Sequence, residues 1–193
     1  MEYYEGFLEE YLTRILIDFG ASVWWVSTVI VEHRVKSDGF PEAVAVANCL
    51  KYSKPNRGME GILKVRMRLP WTEKSQFCDA EASKEMSHLA RRELEALHAV
   101  TEAGCSSTPK LLQYMHYRQN DKMCLPGGSL LYLLMEKLPG VSLEYRTYWK
   151  YDVETRNRIR RAFKETFTEM RKRGFMNYDY GLHNILWDEK NNR

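Results

Sequence analysis

A polar loop near the end of the sequence is the feature that most constrains the fold. Asp179 and Asn184 are separated by four residues, and the apolar segment Ile185-Leu-Trp187 follows the amide directly. A long helical pattern precedes the loop and stops at Gly174. The simpler alternative is a loop rich in turn-forming polar residues. The apolar strand directly after Asn184 favours a polar site held between a helix and a strand.

Composition limits the classes of protein that this chain can belong to. Its 193 residues, of which 44% are hydrophobic, suffice for one domain or for two small lobes sharing a cleft. The net charge of +3 argues against a dedicated nucleic-acid binder. The four cysteines are too far apart for a paired zinc knuckle or a CxxC pair. The sequence has no secretory signal and no apolar run of ~20 residues, so we expect a cytoplasmic protein with reduced thiols and no membrane partner.

The N-terminal part predicts a β-hairpin. Residues 1–11 form a short helix or an extended arm, which leads into a strand over Leu12 to Phe19. Gly20-Ala-Ser22 then forms a turn before a β-branched and aromatic strand over Val23 to Val31. Turn-forming residues dominate 33–58 and predict loops, within which Ala43 to Leu50 fits either a short strand or a helical turn.

One basic strand and one acidic helix follow. The strand over residues 61–67 alternates, so Lys64 lies on the opposite face from Leu63 and Val65. The side chain of Lys64 is either exposed to solvent or held in an ion pair. A helix is predicted over about 78–103, and Glu93 falls on its apolar stripe. If Glu93 lies within the buried stripe, its carboxylate requires a cationic partner. If the stripe is centred elsewhere on the helix, Glu93 lies at its rim.

The remaining pattern alternates between sheet and helix. Strands are predicted over 111–117 and 130–135, the second nearly all apolar and therefore central in a sheet. A break at Pro139-Gly140 leads to a long helix over 152–173. Asp152 can cap the start of this helix, and Gly174 can terminate it.

This order of elements resembles the protein-kinase-like superfamily, especially the aminoglycoside- and choline-kinase-like branch and its fungal kinase-like proteins. The matching segments are Ile62-Leu-Lys64-Val, Arg92-Glu93-Leu-Glu-Ala-Leu97, Leu133-Leu-Met-Glu136-Lys-Leu-Pro-Gly140 and Asp179-x4-Asn184-Ile-Leu. The resemblance implies an α+β fold. Residues 1–138 would form a small antiparallel-sheet lobe with one long helix, and residues 139–193 a truncated helical large lobe.

The resemblance also implies roles in binding ATP and Mg²⁺ in a cleft between the lobes. Lys64 would neutralise phosphate charge, and Glu93 would hold Lys64 in place. Ser22 could donate its hydroxyl to a phosphate. Asp179 would be either the base or the orienter for the attacking hydroxyl, and Asn184 would be a metal ligand. Three residues at the end of a central strand would form the adenine pocket: Met135 at its back, and Glu136 and Leu138 through their backbones.

Several departures from the family pattern lower the expected activity. The glycine-rich loop is reduced to Gly20-Ala-Ser22, and Tyr178 places a bulky side chain next to Asp179. The strand that carries a second metal-binding Asp in the family does not follow, and Asp188 lies in a sequence typical of a turn. Loss of a metal ligand costs orders of magnitude in rate, so we expect weak phosphotransfer or a pseudokinase.

Two other functions remain open at this point. The cleft could serve non-phosphoryl chemistry on another small molecule, or the fold could be a scaffold for a partner protein. We also expect a homodimer or a partner to cover the truncated lobe, because Ile185-Leu-Trp187 and the inner face of the 152–173 helix would otherwise be exposed. The competing expectation is that the arm over Met1 to Tyr11 folds back over that surface.

Overall fold

The computed structural model describes residues 4–37, 40–70, 83–176 and 181–193. It is a mixed α and β structure with a curled antiparallel sheet of six strands and, within the described residues, four α-helices. The chain divides into two units. The first contains residues up to His98 together with 110–136, and the second contains 99–109 together with 137–193.

The first unit is built on the six-stranded sheet. Its strands are β1 (Leu16–Asp18), β2 (Val23–Ser37), β3 (Phe40–Lys51), β4 (Glu60–Arg68), β5 (Leu111–Arg118) and β6 (Ser129–Glu136). They are arranged in the order β1-β2-β3-β4-β6-β5, and every neighbouring pair is antiparallel. The strands predicted over 61–67, 111–117 and 130–135 are confirmed to within two residues at each end.

The predicted hairpin is confirmed in a shorter form, because β1 pairs antiparallel with the start of β2, from Leu16 with Trp25 to Asp18 with Val23. β1 has only three residues, and the long hairpin is formed by β2 and β3, which pair from Trp24 with Lys51 to Ser37 with Phe40. The prediction of loops over most of 33–58 is therefore wrong. In the described part of this region only the 52–59 segment is a loop, and Ala43 to Leu50 belongs to a strand and not to a helical turn. The small residues Ala43, Ala45 and Ala47 lie on one face of β3, where they are fully buried in the core. The Gly20-Ala-Ser22 turn joins β1 to β2, and Asp38-Gly39, between β2 and β3, lies outside the described residues.

The first face of the sheet carries the main hydrophobic core. Helix α1 (Phe7–Leu12) packs on this face and buries Phe7, Leu8 and Leu12. The expectation that the N-terminal arm covers residues 150–193 is not supported, because α1 belongs to the core of the first unit. The core residues contributed by the central strands are Val26, Ala43, Ala45, Ala47, Leu63, Val65, Met67, Leu130, Tyr132 and Leu134.

The second face is covered by helix α2 (His88–Glu102). Ala90 is buried there with Leu131 and Leu133 of β6, and Leu94 and Leu97 pack around them. The helix predicted over about 78–103 is thus confirmed for 88–102 and is wrong for 85–87, which are not helical, while residues 78–82 lie outside the described part of the chain. No helix among the described residues is long and apolar enough to cross a membrane.

The second unit has its own small core. Helix α3 (Tyr145–Tyr148) precedes helix α4 (Val153–Lys172), whose start is capped by Asp152 through a 2.8 Å hydrogen bond from the Thr155 amide. That bond, with one from the Thr155 hydroxyl, lowers the pKa of the Asp152 carboxyl. Gly174 has φ of 83° and ends the helix as predicted.

A two-stranded ribbon completes this core and corrects a further expectation. β7 (Val141–Ser142) pairs with β8 (Leu186–Trp187), so β8 already has a partner strand. A Cβ atom on Gly140 would lie 2.7 Å from the Trp187 carbonyl oxygen, so only glycine fits this close approach. Trp187 is buried with Leu143, Tyr148, Ile159 and Ala162. The apolar pattern of the 152–173 helix puts Ile159 and Phe163 on its inner face; Ile159 is buried as predicted, but Phe163 is 45% exposed.

Candidate functional site: a charged cluster on the sheet

Five charged side chains meet on the second face of the sheet. We call them the charged cluster: Glu42, Lys64, Arg66, Arg68 and Glu93. Alternation along β4 places its three basic residues on one face, and the register sets Glu42 of β3 directly opposite Arg68. Glu93 comes from α2, the helix that packs on Leu131 and Leu133 next to β4. Sheet register and helix packing together therefore fix the cluster.

The ion pairs in the cluster form a continuous chain. Lys64 Nζ contacts Glu93 Oε1, and Arg66 Nη1 lies 3.0 Å from Glu93 Oε2. Arg66 also donates to Glu42 Oε2 from Nη2 at 2.6 Å and from Nε at 3.2 Å. Arg68 Nε lies 3.9 Å from the other oxygen of Glu42. Each carboxylate thus has two cationic neighbours, and Arg66 links the two carboxylates.

Burial divides the cluster into two ends. The side chain of Glu42 is only 2% exposed, and those of Arg66 and Arg68 are also buried. The side chains of Lys64 and Glu93 are 23% and 25% exposed. An ionised group in the interior costs several kcal/mol unless it is paired, so the Glu42 end is structural in character. The Lys64 end is the part that solvent, and therefore a ligand, can reach.

The predicted ion pair between Lys64 and Glu93 is confirmed. The alternative of a wet strand face for Lys64 and its basic neighbours is wrong, because Arg66 and Arg68 are buried. Sequence reasoning missed Glu42 and the bridging role of Arg66. The available signal was the length of β3: once residues 40–51 are taken as a strand paired with β4, Glu42 falls opposite Arg68.

The other residues proposed for the nucleotide site are placed less favourably. Ser22 is buried, and its hydroxyl donates to Gln113 Oε1 and accepts from the Trp24 indole at 2.7 Å, so its proposed phosphate contact is not supported. Met135 is buried on the same face as Leu133. The Glu136 amide already donates to the Lys110 carbonyl at 2.9 Å. Leu138 is half-buried just after β6.

The catalytic-loop residues are only partly described. Asp179 lies outside the described residues. Asn184 is exposed and ends a short 3₁₀ helix over Leu182–Asn184, where its amide donates to the Gly181 carbonyl at 3.1 Å. Among the described residues no group of three His, Cys, Asp or Glu side chains could hold a metal ion.

Asp188 is a turn former, as predicted. Its carboxylate accepts from the Asn191 side chain at 2.6 Å and from the Asn191 amide at 3.2 Å. These bonds, together with the charge of Arg193, lower the pKa of Asp188.

A histidine shares the second face of the sheet with the cluster. His116 lies opposite Leu131 on β6, and its Nε2 is 2.8 Å from the Ser129 hydroxyl. Partial burial, with the positive charges of Arg118 and Arg91, lowers the pKa of His116, and Glu85 opposes this shift. The ring therefore favours its neutral form in the folded protein.

The sequence matches no protein-family model, and no curated protein matches it.

Proposed function

We propose that this is a kinase-fold protein that binds the phosphate groups of a nucleotide at Lys64 and transfers phosphate weakly or not at all. The observation that carries the proposal is the contact between Lys64 on a central strand and Glu93 on the helix that covers it. A lysine ammonium that is held by a carboxylate and still partly exposed can neutralise the charge of a phosphate bound beside it.

The arrangement of the cluster supports this assignment in a second way. Arg66 occupies one oxygen of Glu93 and anchors the carboxylate to the buried Glu42. Glu93 therefore keeps a cationic partner if Lys64 turns toward a ligand, and the helix is not left with an uncompensated charge. Lys64 is the member of this chain of ion pairs that can exchange its partner at least cost.

The proposal of weak transfer has its own support. By the family resemblance, ATP and Mg²⁺ would be the cofactors, with Asn184 as a metal ligand and Asp179 as the base or orienter of the attacking hydroxyl. Mg²⁺ would offset the charge of the transferred phosphate. Asp188, the first described acid after Asn184, is committed to Asn191 in a turn. Tyr178 also adds bulk next to Asp179 in the sequence. The protein would then use the fold chiefly for binding.

Calorimetric titration with ATP, with and without Mg²⁺, tests the proposal. We expect Lys64→Met to weaken ATP binding by about tenfold or more, since a charge-assisted contact is lost. Lys122→Met, at an exposed loop position, removes the same charge elsewhere and should leave the affinity unchanged. Absence of ATP binding to the wild type, or equal binding by Lys64→Met, contradicts the proposal. Turnover of roughly 1–100 s⁻¹ in a coupled assay contradicts weak transfer.

One observation favours a partner-binding scaffold as the second candidate. The second unit exposes Tyr145, Trp149 and Val153 near the start of α4, and the Arg156 guanidinium lies 5.2 Å from the Trp149 ring centre. Exposed aromatic side chains with arginines are typical of protein interfaces. If ATP fails to bind and the Trp149→Ala variant loses a partner that the wild type retains, the scaffold replaces the nucleotide proposal.

A further inference from the structure

The first unit contains a cavity that shares no residue with the charged cluster. Its volume is about 460 Å³, which falls within the range of small-molecule sites. It lies where β1, β2 and β3 meet the 52–59 loop. We call it the Trp25 pocket, and the residues that define it here are Arg14, Leu16, Trp25, Leu50, Tyr52 and Arg57.

The floor of the Trp25 pocket is a row of apolar side chains. Leu16, Trp25 and Leu50 are successive cross-strand neighbours, Leu16 opposite Trp25 and Trp25 opposite Leu50. Such neighbours stand about 5 Å apart at Cβ, so they form one continuous surface. Leu16 and Trp25 remain exposed, and Tyr52 adds a half-exposed ring. A flat aromatic group would find a stacking surface here.

Every charged residue that lines this pocket is basic. Arg14 comes from the segment between α1 and β1, and Arg57 comes from the 52–59 loop, where its guanidinium lies 4.8 Å from the Tyr52 ring centre. Lys51 also borders the space. Glu60 lies opposite Leu50 in the register but does not line the cavity. The pocket therefore favours a ligand that is both aromatic and anionic.

Hydrogen bonds within the protein fix the walls of the pocket. The amides of Tyr52 and Ser53 donate to the Val23 carbonyl at 2.8 and 3.3 Å, and the Val23 amide donates to the Ser53 hydroxyl at 3.0 Å. The Gly58 amide closes the loop on the Lys51 carbonyl at 2.8 Å. Four hydrogen bonds thus fix the loop that carries Tyr52 and Arg57. A preformed wall lowers the entropy cost of binding.

We infer that the Trp25 pocket binds a nucleotide unit, with its base stacked on Trp25 or Tyr52 and its phosphate paired with Arg14 and Arg57. Stacking on aromatic rings combined with arginine contacts to phosphate is the usual chemistry of single-nucleotide recognition. The unit could be a free nucleotide or one residue of a single strand. This inference does not rest on the nucleotide proposed at Lys64, because the two sites have no residue in common.

Two probes and a set of variants test the inference. AMP is titrated by calorimetry, and a fluorescein-labelled single-stranded hexaadenylate is followed by fluorescence anisotropy. Both titrations use the Lys64→Met protein, so that the other proposed site does not contribute. We expect Arg14→Gln, Arg57→Gln and Trp25→Ala each to weaken binding by about tenfold or more. Arg34→Gln, which removes one exposed arginine from β2 outside the pocket, should bind like its parent.

The outcomes separate the two sites and the two sources of ligand. If the affinity for AMP equals the affinity for the hexamer per nucleotide, the ligand is a free nucleotide. If the hexamer binds much more tightly, the ligand is a single strand. Binding of neither probe to the Lys64→Met protein overturns the inference. So does binding that stays within twofold of the parent in both arginine variants, which are exposed and should fold normally. In that case a loss of ATP binding seen only on changing Lys64 would still support the first proposal.

Discussion

At the residue scale, Arg66 is the side chain on which the charged cluster depends. It pairs with both Glu42 and Glu93, and it is buried, whereas Lys64 is partly exposed and, within the described residues, forms an ion pair with Glu93 only. We predict that Arg66→Met lowers the free energy of unfolding by about 3 kcal/mol, because the buried Glu42 is left only with Arg68. Lys64→Met should cost less than about 1 kcal/mol, because Glu93 keeps Arg66.

Urea unfolding followed by circular dichroism measures both changes. The two variants replace a basic residue by the same apolar one on the same face of the same strand, so each is the control for the other. Equal losses of stability would mean that the two ends of the cluster do not differ, and the assignment of a structural and a ligand-facing end would then fail.

A second prediction at this scale concerns pH. His116 has a pKa below its ordinary value of 6.5, so between 6.5 and the folded-state pKa the unfolded chain binds more protons than the folded one. Stability is therefore complete above pH 6.5 and falls as the pH drops toward the folded-state pKa. His116→Gln cannot take up this proton and should flatten that part of the profile. His33→Gln, at an exposed position of β2, should leave that part of the profile unchanged.

Thermal unfolding at several pH values from about 7.5 to 5 provides the comparison, with 6.5 as the ordinary pKa of histidine. A wild-type melting temperature that does not fall in this range, or the same fall in His116→Gln, would show that His116 does not control the acid response.

At the scale of elements, α1 is attached to the sheet by a side chain distant in sequence. Gly6 precedes the helix and offers no capping side chain. Glu32 of β2 accepts instead, from the Leu8 amide at 3.2 Å and the Glu9 amide at 2.9 Å. A carboxylate at a helix N-terminus satisfies unpaired amides and interacts favourably with the helix dipole.

We predict that Glu32→Ala increases hydrogen exchange of the α1 amides by about fivefold or more, as expected for the loss of a cap worth ~1 kcal/mol. His33→Ala, at the next exposed position of β2, should leave exchange of α1 unchanged. Unaltered exchange in Glu32→Ala would mean that burial of Leu8 and Leu12 alone fixes the helix.

The elements that could be predicted from the sequence carry their signals locally. α4 has a capping Asp152, an apolar stripe and Gly174, and β4 has strict alternation. The Lys64–Glu93 pair could be predicted because a carboxylate on a buried stripe requires a partner. β3 could not, since its alanines fit several structures and become a strand only between β2 and β4. For the same reason the contribution of Glu42 depends on a register that no local pattern shows.

At the scale of the whole molecule, the two units differ greatly in core size. The first encloses a large core between the sheet and α1. Within the described residues, the core of the second unit consists of Leu143, Tyr148, Ile159, Ala162 and Trp187, with a few half-buried neighbours. The expected exposure of Trp187 is wrong, since this core and the β7–β8 pair cover it. The prediction of self-association must therefore rest on other residues of this unit.

Those residues are on the outer side of α4 and on β8. Phe163 stacks on Phe167 with ring centres 5.8 Å apart, and Leu186 is also exposed. We predict that the protein self-associates through this surface, because burying exposed aromatic rings releases water from apolar area. Phe163→Glu should then lower the sedimentation coefficient toward the monomer value across a dilution series. Ile30→Glu changes another exposed apolar residue, on β2 of the first unit, and should leave the sedimentation coefficient unchanged. A wild-type monomer at high concentration, or the same shift in both variants, would exclude Phe163 as the contact and leave this aromatic face exposed to solvent.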